Sequence, residues 1–189
     1  MKYADRIITR PTLRAVTLDQ VRDYLSIIST SDDEKITRLL DAAIDYVEGQ
    51  TGVAMLRQTR EVVFDEFDSS LRLPRAPLVS VDSVKYLDAN FADQTVDQSA
   101  YYVDTSSVPG AVVFKPAFSL PTLASAGGAV RVRYVCGPDT IDLSSRDLPL
   151  AVMQLVRHWY DNPAPINVGN ITTPLPHALD ALLWSNRII

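Results

Sequence analysis

The sequence is short of cysteine, glycine, long apolar runs and positive charge, and each shortage excludes something. Cys136 is the only cysteine in 189 residues, so no intrachain disulfide and no cysteine-built zinc cluster can form. That suits a reducing compartment, or a fold that needs no staples. Only 7 residues are glycine, and Gly127-Gly128 is not followed by Lys-Ser/Thr, so there is no phosphate-cradling loop. No stretch approaches the ~20 apolar residues of a spanning helix. No apolar run follows the early charges as it would in a signal peptide. These absences predict a soluble protein made in a cytoplasm. Lys and Arg number 18 against 23 Asp and Glu, a net charge of -5. That balance disfavours a surface that wraps nucleic acid, which needs clustered cations. It leaves room for DNA to pass nearby without being gripped.

The composition is 47% hydrophobic, and a chain of this size buries roughly 70% of its unfolded surface. The expectation is therefore one domain, or one domain carrying a sub-domain.

Residues 1–16 alternate charged and apolar types without a clear period and read as an arm or an edge strand. Thr17-x-x-Gln20 is a capping-box pattern, predicting a short helix with Leu18, Val21 and Leu25 on one face. Ser31-Asp-Asp-Glu34 reads as a second capping box. After it, Ile36, Leu39, Leu40, Ala43, Ile44 and Val47 fall on one helical face. Lys35, Arg38, Asp41, Asp45 and Glu48 fall on the other, and Gly49 and Gly52 offer stops.

From residue 57 to 135 the period changes to two. Expected strands are 57–67, 71–73, 79–87, 101–104, 111–114 and 130–135, separated by turn residues. Pro74 and Pro77 cannot donate to a ladder and so split 71–73 from 79–87. No helical pattern intervenes, so the pairing should be antiparallel and the class α+β. Residues 115–129 read as a long loop. Asp147-Leu-Pro149 opens another helix, with Leu148, Ala151, Val152, Leu155, Val156 and Trp159 as its buried stripe. Residues 164–175 form a long connection, and Pro176 opens a last helix with Leu179, Leu182, Leu183 and Trp184.

The order of these elements resembles the tailed-phage head–tail connector family, also called adaptors or DNA-packaging connectors, with relatives in phage-like gene transfer agents. The residues that carry the likeness begin with Val16-Thr-Leu-x-x-Val21 and Ile44-Asp-Tyr-Val-Glu-x-x-Thr-Gly52. They continue with Leu71-Arg-Leu-Pro-Arg-Ala-Pro-Leu-Val-Ser-Val81 and Tyr134-Val-Cys-Gly137. They close with Leu148-Pro-x-Ala-Val152, His158-Trp-Tyr-Asp-Asn162 and Leu175-Pro-x-Ala-Leu179. Each motif is common, and the specificity lies in their order and spacing.

The resemblance implies a helical bundle core, two N-terminal and two C-terminal helices, with an inserted antiparallel β sub-domain. In this chain that gives an arm at 1–16, core halves at 17–56 and 136–184, the insert at 57–135 and a tail at 185–189. It further implies a structural, non-enzymatic protein without cofactors. Copies would form a twelve-fold ring under the portal, continue the DNA channel and dock the next head-completion or tail protein. The protein would sit at the virion head–tail junction after assembly in the bacterial cytoplasm. A typical member engages the portal through its C-terminal tail. The extended N-terminal segment departs from the family pattern; it is a candidate to touch a neighbouring subunit or the capsid.

Residue chemistry gives little support to catalysis. Cys136, His158 and Asp161 would make a nucleophile set, but no local pattern joins them. Cys136 ends a β run and reads as a buried thiol, and His158 as a packing or hydrogen-bonding residue. His158 and His177 are far apart for a metal site. The stretch from Asp88 to Asp93 lacks the glycine and glutamate of a calcium loop and reads as a hairpin tip. Arg72, Arg75, Arg131 and Arg133 are modest basic spots, read either as solvated faces with nearby acids or as inter-subunit contacts. The end of the chain is more suggestive. Trp184, Arg187, Ile188 and Ile189 place hot-spot residue types and two isoleucines where termini are normally polar. They are the expected portal anchor.

Overall fold

A computed structural model describes residues 3–140, 147–162 and 177–188. The expected connection at 164–175, the opening Pro176 and the terminal Ile189 lie outside the described residues. The fold is α+β and divides into two compact units. A helical unit takes Leu13–Met55 and Ile141–Arg187, and a β unit takes Met1–Thr12, Leu56–Thr140 and Ile188–Ile189.

In the helical unit, α1 (Leu18–Leu25) starts as its sequence dictates. Thr17 Oγ1 accepts from the Gln20 N–H at 3.2 Å, and Gln20 Oε1 accepts from the Thr17 N–H at 2.8 Å. The second box does not form. α2 (Asp33–Thr51) has Asp32 as its N-cap residue, without a side-chain cap. The Ser31 hydroxyl lies one step outside and accepts from Ser29, while the Asp32 carboxylate accepts from the Tyr160 hydroxyl. α2 runs through Gly49 and stops at Gly52, whose φ of 77° suits glycine and whose N–H reaches the Glu48 carbonyl at 2.9 Å.

α2 buries Ile36, Leu40, Ala43 and Val47, with Leu39 and Ile44 on the flanks. Glu48, assigned to the polar face by period, is instead buried: its Oε1 accepts the Met55 N–H at 2.7 Å. α3 (Asp147–Asp161) packs on α2 through Leu148, Ala151, Val152, Leu155 and Val156. Trp159 is half-buried, meeting Tyr46 edge-on at 6.1 Å. α4 (His177–Ser185) docks on α2 and α3 through Leu179 and Leu183.

In the β unit the main sheet is antiparallel, in the order β1-β2-β8-β4-β5. Its strands are β1 (Tyr3–Thr9), β2 (Gln58–Phe64), β4 (Leu78–Leu87), β5 (Asp93–Thr95) and β8 (Val130–Cys136). A second sheet has the order β3-β7-β6, from β3 (Ser70–Arg72), β6 (Tyr101–Asp104) and β7 (Ala111–Phe114). Of the two readings of the N-terminal segment, residues 3–9 adopt the edge strand. β5 is a short polar edge strand that alternation does not reveal.

One face of the main sheet carries Val62, Phe64, Val84, Val130 and Val132, all buried. An aromatic cluster lies around Phe67, which meets Tyr86, Phe114 and Phe118 at 5.3 to 6.1 Å between centroids. After β8 the chain turns at Gly137, with φ 86°; a Cβ there would fall 2.2 Å from the Leu56 carbonyl oxygen. Only glycine fits that approach.

Candidate assembly surfaces

The residues predicted to bind partners fall into two groups, which the structure treats differently. Trp184 and Arg187 come together. Leu179 and Leu183 turn the other flank of α4 into the bundle, leaving Trp184 68% exposed. Arg187, three residues on, lies over the indole at 5.5 Å, in cation–π range. Backbone and side-chain bonds fix the turn: Arg187 N–H to the Trp184 carbonyl at 3.3 Å, and Asn186 Nδ2 to the Leu182 carbonyl at 2.9 Å. An exposed flat apolar ring with a stacked guanidinium is thus held ready by short-range contacts. Ile188 is half-buried.

The four arginines of the β region separate by partner. Arg75 donates Nε to Asp5 at 3.0 Å. Arg131 pairs with Asp93 of the edge strand β5, reaching past β4, and among the described residues its Nε is a buried atom without a hydrogen bond. Arg133 pairs with Glu61, directly opposite it in the β2–β8 register, at 3.1 Å. Arg131 and Arg133 do share one sheet face, as their spacing requires. Arg72 is exposed on the edge strand β3 and makes no ion pair among the described residues.

Two charge networks were missed by reading the sequence. On the inner face Asp5 accepts from Arg60 at 2.7 Å, from Arg75 at 3.0 Å and from the Tyr134 hydroxyl at 3.3 Å. Burial pulls the Arg60 guanidinium down, but the Asp5 bonds outweigh it, so it stays firmly charged. Burial, then the Asp5 charge, holds the Tyr134 hydroxyl well above its ordinary range. On the outer face Arg6, Glu61 and Arg133 form a cross-strand row. Burial alone would raise the Glu61 carboxyl; the bonds from Arg6 and Arg133 win, so it lies below its ordinary value. The weak alternation of residues 3–9 was the available signal for Asp5 and Arg6, but it names no partner.

Cys136 is fully buried, with its thiol 3.8 Å from the Gln58 carbonyl. The Asp88 region is a hairpin tip: Asp88 accepts from the Asn90 and Ala92 N–H groups and from the Gln94 amide. Among the described residues no three His, Cys, Asp or Glu side chains gather as metal ligands, and no helix is long and apolar enough to cross a membrane.

A helical bundle joined to a β unit, with an exposed aromatic at the end of its last helix, defines the class as α+β. The head completion protein family matches residues 14–165, and the chain belongs to that family. The connector resemblance read from its sequence holds. No curated protein matches it.

The fold is shared with solved chains from gene transfer agent (GTA) particles. One, from the neck of an empty GTA particle computed with C6 symmetry, matches at 20% identity and TM-score 0.76, covering 98% of this chain and 96% of that one. A chain from the neck of a native GTA particle computed with C12 symmetry matches at 21% identity and TM-score 0.74, covering 98% and 96%. A third, from the virion of a native GTA particle, gives 21% and 0.72, covering 98% and 95%.

Proposed function

We propose that the protein is a head–tail adaptor whose copies form a twelve-fold ring under the portal. The ring extends the DNA channel and docks the next head-completion or tail protein. The observation that carries this reading is the shared fold, over 98% of the chain, with a chain from a GTA neck computed with C12 symmetry. In this reading the four-helix unit builds the ring wall and the β unit is the insert that faces outward or toward the neighbour. The portal anchor is the Trp184–Arg187 pair with Ile188 and Ile189. Arg72, which makes no ion pair among the described residues, and the partly exposed Arg133 are the inter-subunit candidates; Arg75 and Arg131 serve the fold first. The net charge of -5 suits a channel that passes DNA without gripping it, since like charge repels phosphate. A lumen rich in Lys and Arg would contradict that last point. No catalytic role is assigned to Cys136 or His158.

Light scattering on the purified protein, with and without portal, tests the reading. The expected result is a layer of twelve copies on the portal that is lost when residues 184–189 are removed. A chain that stays monomeric and ignores the portal overturns it and favours a monomeric binding module that works through its β unit.

A further inference from the structure

β1 is completed before the chain enters the helical unit, and the other strands follow once the chain has left it. β1 stands at one edge of the main sheet, with β2 on one side and no strand on the other among the described residues. The link that follows it is loosely held. Among the described residues, 11–14 make no backbone hydrogen bond, and Pro11 has no N–H to give. Leu13 in this link is 70% exposed. The far end is anchored, where the Arg14 side chain donates to Asp41 at 2.6 Å. A terminal edge strand on a loose link is an element that copies of one chain can trade without new contacts.

The strand itself is gripped closely, and the seam reads it on both faces. On the inner face Asp5 accepts from Arg60, Arg75 and the Tyr134 hydroxyl. On the outer face the next residue, Arg6, meets its register partner Glu61, which Arg133 holds from the other side. The Arg60 side chain is only 6% exposed, and a cation buried that deeply needs its acid. A slot left empty is therefore disfavoured, and a slot once filled is held. These bonds run from β1 to β2, β8 and the segment before β4, and their chemistry is the same whichever copy supplies the strand.

We propose that neighbouring copies exchange β1 in the assembled ring, each filling its seam with the strand of the copy beside it. The proposal rests on the ring reading and names the link that locks one copy to the next. Exchange re-forms the same ladder and the same ion pairs, but now between chains. A donated strand and a receiving seam are unlike surfaces, so the contact is heterologous, the kind that generates rings. The occupant is a second copy because the seam is complementary to this sequence. It calls for an acid facing inward opposite Val62 and, at the next residue, a cation facing outward opposite Glu61. Inside a ring the neighbour's strand is present at high effective concentration, whereas a free chain closes on its own strand.

Cross-linking the seam of the full-length protein tests the exchange. Ala4 and Val63 are register partners on the outer face, and Ala4 is exposed. Directly opposite residues lie roughly 4.5–5.5 Å apart between Cα atoms, within reach of a disulfide. The double variant Ala4→Cys with Val63→Cys is purified reduced, then oxidised either alone or after assembly on portal. Cys136 is fully buried and stays out of the reaction. On a denaturing, non-reducing gel the free protein should run as an internally linked monomer. The assembled protein should lose that band to a ladder of covalent oligomers. Ala4→Cys chains mixed with Val63→Cys chains, each carrying one mild change, should give covalent dimers only after assembly. Assembled protein whose cross-links all lie within single chains, with no dimer from the mixture, would overturn the exchange and leave the ring reading standing. Wild-type protein that never assembles on portal removes the ring and the exchange together.

Discussion

Asp5 and Arg60 face each other across the seam between β1 and β2, 2.7 Å apart, with side chains only 8% and 6% exposed. This pair, with Arg75 and the Tyr134 hydroxyl on the same carboxylate, fastens an edge strand to the sheet. Deleting one partner of a buried pair leaves a charge without compensation. Asp5→Ala should therefore cost about 3–5 kcal/mol in urea unfolding. Replacing the pair together, Asp5→Leu with Arg60→Met, should recover much of that loss. A cost within about 0.5 kcal/mol for Asp5→Ala would show the network to be a surface ornament.

Much of this architecture was legible because its signals are local. The Thr17–Gln20 box, the Gly52 stop and the alternation of 101–104 and 111–114 each depend on a few adjacent residues. What was missed depends on distant partners. Asp5 meets Arg60 across 55 residues and Arg75 across 70, and Arg133 meets Glu61 across 72. No local period encodes those meetings. β5 was missed because all three of its residues are exposed, so it has no buried face to leave an alternating pattern. Ser31 misled for a related reason: the box needs the right backbone at the cap, and the Tyr160 hydroxyl had claimed Asp32 next to it. The tail was the reverse case. Trp184 and Arg187 are three apart on a helix end, and that spacing alone brings them together.

Glu61 predicts how the fold responds to acid. Its carboxyl lies below its ordinary value of 4.5 because Arg6 and Arg133 outweigh the burial that would raise it. A carboxyl depressed on folding adds stability that is complete above its unfolded value. That stability is lost as pH falls from about 4.5 through the lower folded value. Urea midpoints measured between pH 7 and 3 should therefore drop at the acid end, and Glu61→Gln should flatten that drop. An unchanged acid limb in Glu61→Gln would assign it to other carboxylates.

Cys136 predicts a chemical silence. Its thiol is fully buried, so a thiol reagent should label the native protein at the rate of global opening and the urea-unfolded chain within seconds to minutes. Fast labelling of the native protein would mean that the β8 end opens locally. It would also reopen the nucleophile alternative.

Gly137 should tolerate no side chain. Its φ of 86° and the 2.2 Å approach to the Leu56 carbonyl oxygen act together. The conformation alone costs a non-glycine residue about 1–3 kcal/mol, and the backbone must shift besides. Gly137→Ala should lower the urea midpoint accordingly, while Gly49→Ala, with open space around it inside α2, should hold or raise it.

Trp184 offers a way to separate assembly from folding. Its ring is 68% exposed, so truncation removes little packing, and Trp184→Ala should change unfolding free energy by no more than about 0.5 kcal/mol. If the ring is a portal anchor, the same change removes a hot spot, and loss of about 2 kcal/mol or more is roughly a thirtyfold fall in affinity. Arg187→Lys keeps the charge but not the flat guanidinium that stacks on the indole, and should give an intermediate loss. Titration of labelled protein onto portal, beside urea unfolding of the same samples, gives both numbers. Unchanged binding in Trp184→Ala with unchanged stability would move the anchor elsewhere on the chain. Equal losses in both would make Trp184 a packing residue, and its exposure would then need another explanation.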